Sequence, residues 1–175
     1  MLAEGNSVEE IGLRRYKTEL ATAGTGYILL GLWSVIKVTM SMFLGEMSFK
    51  RVFSDMEILP EDYLPMMITY FAVTFVITAF IFLLHIYIGR GAIRASRGGR
   101  KRGYLVLAFI AEIFVSLTII ADIIRLFSGT AENVDTLVAT IVVDMTVLSI
   151  LWGMFHSNHV IKKLTKQQKA KGPCT

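Results

Sequence analysis

The chain has 175 residues, 54% of them hydrophobic and 18% charged, with a formal net charge of +4. A typical soluble domain is about 45–50% apolar and about 25% charged, and a small globule needs polar residues to cover its large surface. With a mean hydropathy of +0.58, this composition argues against a cytosolic globular enzyme and more firmly against disorder, while the single cysteine, Cys174, excludes an intrachain disulfide, a paired-cysteine redox centre and a cysteine zinc site. The expected class is an all-α polytopic membrane protein.

The first 22 residues are too charged for a cleavable signal peptide and lack its apolar core. Ser7 followed by Glu10 has the spacing of a capping box. Val8, Ile11, Tyr16 and Leu20 keep approximate helical spacing, which predicts a short amphipathic helix along the inner membrane surface. The plainer reading is a solvated helical lead-in to the first span.

A helix crosses the hydrocarbon core, about 30 Å thick, with about 20 mostly apolar residues. In lipid its backbone groups must bond within the segment. Four stretches qualify, at roughly 24–45, 63–88, 104–127 and 134–155. They are too long and too continuously apolar for barrel strands. The first span opens with Gly24 and Gly26, which favour close helix approach. It carries Ser34, Lys37 and Ser41 on one face at i, i+3 and i+7. The following loop is amphipathic, with Phe49, Val52, Phe53, Met56, Ile58 and Leu59. Pro60 and Pro65 bracket the start of span two, Pro65 being expected in its first turn, where a missing N–H costs little. Along span two, Tyr70, Thr74, Thr78 and His85 form a polar stripe within about 80° of arc.

Span three carries Glu112 with Ser116 one turn away, then Asp122 and Arg125, spaced for an ion pair within the helix, with Thr118 on the same face. In span four, Thr136, Thr140 and Asp144 follow at steps of four. His156 and His159 lie at its far end, on the side that also holds His85. Each span therefore offers one polar and one apolar face. The simplest assembly is a four-helix bundle spanning residues 23–160, with a basic tail over 161–175.

Lysine and arginine placement sets orientation. The loop between spans two and three holds Arg90, Arg94, Arg97, Arg100, Lys101 and Arg102 without an acid. The tail holds Lys162, Lys163, Lys166, Lys169 and Lys171, again without an acid. Arg14, Arg15 and Lys17 precede span one. These segments, and hence both termini, are expected on the cytoplasmic side. Their first role is topology and their second is attraction to anionic lipid headgroups; nucleic-acid binding is not needed to explain them.

Ionisable groups at bilayer depth cost several kcal/mol and need a reason. By depth, Lys37, Glu112 and Asp144 can meet near the midplane. Two close carboxylates in a low dielectric rarely both ionise, so the set can carry a proton or a cation. In the plainer reading, Lys37 pairs with one acid and the cluster only sets helix register. Asp122 with Arg125 reads as an outer structural salt bridge. His156 and His159, three apart on one helix, can share a metal with His85 as a third ligand, and haem on His85 and one of them is geometrically possible. Histidines at a membrane border more often mark only the edge of the apolar zone, and no cofactor is expected.

Span four has no arginine ladder of the voltage-sensor kind, and no nucleophile–base motif points to an enzyme. The leading expectation is a small oligomeric transporter or channel for ions or protons. The alternative is an accessory, sensory or scaffolding subunit of a larger membrane complex.

Overall fold

The computed structural model of the chain describes residues 2–43, 53, 59–99, 103–129 and 134–170. Among them are four helices, α1 (Leu2–Phe43), α2 (Pro60–Ser96), α3 (Gly103–Phe127) and α4 (Val134–Ala170). All four are long and apolar enough to cross a membrane, the architecture of a multi-pass membrane protein. Phe49, Val52, Met56, Ile58, Glu132, the cluster Arg100 to Arg102, Lys171 and Cys174 lie outside the described residues, as do the side chains of Ser7, Ser41, Thr136 and Lys169.

The helix ends differ from the hydropathy boundaries. The N-terminal segment and the first span are one uninterrupted helix, so the separate surface helix is replaced by the lead-in. Ser7 lies inside α1 rather than at its cap. Nothing between Leu2 and Gly24 breaks a helix, since no proline occurs there. Arg14 pairs with Glu10 at 2.7 Å and Arg15 with Glu19 at 3.0 Å, both across one turn, the spacing that supports a solvated helix. The tail likewise continues as helix to Ala170.

Helix α2 begins at Pro60, not Tyr63, with Glu61 and Asp62 in the first turn, where acids complement the helix dipole. Pro65 therefore falls beyond the first turn and removes the bond to the Glu61 carbonyl. At the other end Gly98 adopts φ +91°. Its N–H bonds the Ala95 carbonyl, and that of Gly99 bonds the Arg94 carbonyl, both at 3.0 Å. This is a Schellman motif, which needs the left-handed residue glycine supplies without steric cost. The turn after α3 places Gly129 at φ +67°.

The chain divides into two compact units, Met1–Ile28 with Tyr87–Thr175, and Leu29–Ile86. The first unit holds the fully buried side chains Leu20, Ile88, Leu151 and Met154. Buried positions follow heptad-like steps: Leu20, Gly24 and Tyr27 on α1, and Val147, Leu151 and Met154 on α4, the spacing of helices packed at a shallow angle. Lipid is as apolar as leucine, so close fit rather than water exclusion must hold such seams. Small residues permit that fit. A Cβ on Gly24 would lie 2.7 Å from the Gly89 carbonyl oxygen, and one on Gly91 would overlap the Tyr104 side chain. Gly26 is less demanding, its nearest neighbour being Ile150 at 3.5 Å. In the second unit, a Cβ on Gly31 would stand 2.6 Å from His85 Cβ, so α1 and α2 are closely apposed there too.

Candidate functional site

The polar groups of the spans fall into two sets. Hydroxyls in the first set bond carbonyls of their own helix: Ser34 to Leu30 at 3.0 Å, Thr74 to Tyr70 and Thr78 to Thr74 at 2.8 Å. His85 Nδ1 donates to the Ile81 carbonyl at 2.8 Å. Tyr70, Thr74, Thr78 and His85 are half-buried, while Phe75, Val76, Phe80 and Leu83 are exposed. The polar stripe of span two thus lies on the covered side of α2. Its threonines are satisfied locally, which lets them sit in an apolar helix without a partner helix.

The second set lies where α3 packs on α4. On α3, Tyr104, Ala108 and Ile119 are buried and mark the packed stripe. Glu112 and Asp122 fall on the same stripe at helical steps of three and four, and both are half-buried. On α4, Asp144 continues the series Val147, Leu151, Met154 by one step of three and is also half-buried. Two contacts set the antiparallel register. Phe109 meets Phe155 edge-on with ring centroids 6.4 Å apart, and Thr118 Oγ1 lies 3.4 Å from Asp144 Oδ2.

That register sets the relative depths of the acids on the seam. Asp144 stands opposite Thr118, and Glu112 is six residues along α3, about 9 Å away in depth at 1.5 Å per residue. Asp122 is only four residues from Thr118 on the other side, about 6 Å. Asp144 is therefore nearer in depth to Asp122 than to Glu112. Arg125 Nη1 reaches Asp122 Oδ1 at 3.7 Å, as its spacing predicted. The Asp122 side chain is 14% exposed and that of Arg125 is 68% exposed, so the arginine reaches outward from a covered carboxylate.

Lys37 is exposed on α1. The reason is angular: at 100° per residue it sits about 120° around α1 from Gly31, off the face that packs on α2. The neighbouring Trp33, Ile36 and Met40 are exposed as well.

Thr118 has one hydroxyl proton and two neighbours that can accept it, the Val115 carbonyl at 2.8 Å and Asp144 at 3.4 Å. When the proton goes to Val115, the threonine oxygen still has lone pairs to accept from a protonated Asp144. One contact thus serves both protonation states of the acid. Sequence spacing alone does not reveal this pairing, because Thr118 reads as a partner of Asp122 on its own helix.

Farther along α4, His156 and His159 line an open groove with Lys162. The His156 ring lies 6.0 Å from that of Tyr16 on α1, tilted by 59°. Among the described residues no group of three or more His, Cys, Asp or Glu is placed to hold a metal ion. Two imidazoles leave a zinc ion short of its usual ligand number. In comparisons with known proteins, the chain matches no family model, no characterised protein and no solved structure.

Proposed function

We propose that the chain is a small multi-pass membrane protein that carries protons or cations, with the carboxylates of the α3–α4 seam as the groups that take the load. The observation that carries this reading is Asp144: an acid on the packed face of an apolar helix, in contact with a hydroxyl that suits either protonation state. An ionisable group at such a position costs several kcal/mol, which points to a functional role. Asp122, within about one turn in depth, gives a second carboxylate on the same seam, and Arg125 neutralises it from the more exposed side. Glu112 extends the row in the other direction. Both termini lie on the cytoplasmic side in this proposal, as the basic segments require, and the working form is an oligomer.

Proteoliposome flux tests the reading. Under an imposed proton or cation gradient, Asp144→Asn and Glu112→Gln abolish flux while the protein still inserts and assembles. Wild-type flux in both variants would refute the mechanism.

Lys37 favours a second reading, that of an accessory subunit. A cation exposed among apolar side chains at bilayer depth calls for cover by another protein surface. Mild extraction would then bring down unrelated membrane subunits at fixed stoichiometry. A homogeneous homo-oligomer would exclude that reading and leave Lys37 at a self-interface.

A further inference from the structure

The groove on α4 has a polarity gradient along its length. Along α4 its lining runs from the apolar Trp152 and Phe155 to the polar His156, His159 and Lys162, with Leu105 of α3 beside it. Its volume is about 460 Å³, within the range of small-ligand sites. From Trp152 to Lys162 is ten residues, about 15 Å along the axis. That length straddles the end of the fourth apolar stretch near Phe155, so Trp152 and Phe155 lie at the edge of the acyl chains and His156, His159 and Lys162 in the headgroup zone. No acid occurs on α4 between Asp144 and Ala170. On α1, whose Tyr16 ring meets His156, Glu10 and Glu19 are taken up by Arg14 and Arg15. The surroundings of the groove's polar end are therefore cationic.

We propose that this groove is a binding site for one anionic phospholipid. Lys162 and the two imidazoles hold the headgroup phosphate, and Trp152 and Phe155 lie along an acyl chain. A free phosphate compound would use only the cationic end and leave the apolar half unfilled, whereas a lipid fills both. Trp152 is 67% exposed, which suits a side chain waiting for an acyl chain. The site does not depend on the transport reading; it requires only that the helices sit in a bilayer.

Trp152 reports its own neighbour. The chain has two tryptophans, so the full-length Trp33→Phe protein carries Trp152 as its only indole. It is reconstituted into phosphatidylcholine vesicles containing brominated phosphatidylglycerol or brominated phosphatidylcholine, and quenching is followed against mole fraction. Phosphatidylglycerol should be preferred about fivefold, the effect of one lysine near an anionic headgroup. Added in the same background, Lys162→Gln should remove most of that preference and His159→Gln part of it. Lys163→Gln, which changes a lysine outside the groove lining, should leave it intact. Identical curves for the two lipids would overturn the proposal, as would equal losses in the Lys162 and Lys163 variants, which would show general surface attraction. Loss of the preference in the presence of soluble glycerol phosphate would assign the site to a free phosphate compound instead. Quenching by brominated phosphatidylcholine verifies in the same experiment that Trp152 is in the bilayer; its absence would also overturn the site.

Discussion

Gly89→Ala tests whether backbone proximity holds α1 to α2. The new Cβ would lie 2.5 Å from the Gly24 carbonyl oxygen and would overlap Ile28 Cγ1. Ordinary contact begins at 3.4 Å, so the helices must part by about 0.9 Å. The isoleucine can change rotamer, but the carbonyl belongs to the helix and cannot yield alone. Overpacking costs about 1–3 kcal/mol, and a backbone obstacle argues for the upper end. Alanine returns about 1 kcal/mol of helix propensity. The net loss is about 2 kcal/mol, roughly a 30-fold fall in the folded-to-unfolded ratio. Gly153→Ala is the matched control, because its Cβ would meet no heavy atom within 4 Å; it should keep the gain of about 1 kcal/mol. Equilibrium unfolding in mixed micelles, followed by helical circular dichroism, should therefore move in opposite directions for the two alanines. A Gly89→Ala protein as stable as wild type would refute the close-packed seam.

Leu151→Ala empties a side chain that is 0% exposed and should destabilise by about 2–5 kcal/mol in the same micellar assay; a loss under 1 kcal/mol would mean that the site collapses around the deletion. Gly98→Ala places a Cβ at φ +91°, where nothing lies within 4 Å of it, so any cost is conformational. The left-handed region costs an L-residue roughly 1–2 kcal/mol. Proteolysis at the α2–α3 turn should therefore be faster in Gly98→Ala, and an unchanged rate would show that the Schellman turn is not needed.

The polar groups were readable from the sequence to unequal degrees. Asp122 with Arg125 was legible because three residues on one helix set their own distance. The α2 stripe was legible for the same reason: Tyr70, Thr74 and Thr78 share a face whatever lies opposite. Lys37 was not. Its depth could be counted, but the face α1 turns toward α2 depends on where Gly24 and Gly31 let another helix approach. The depth of Glu112 relative to Asp144 was not legible either, since matching hydropathy windows locates a residue only to within a turn or two. Phe109 against Phe155 and Thr118 against Asp144 remove that freedom.

Lipid makes one demand that a sequence cannot conceal, about 20 apolar residues in a self-bonded helix, and so the amino-acid order by itself determined the four spans and the all-α class. Hydropathy has no signal once a helix leaves the hydrocarbon. The extension of α2 to Ser96, of α4 to Ala170 and of α1 back to Leu2 came from the structure, as did the seating of Glu112, Asp122 and Asp144 on one seam. Those features depend on which side chains and backbone atoms of separate helices fit together, and shape complementarity between distant segments is settled only in three dimensions.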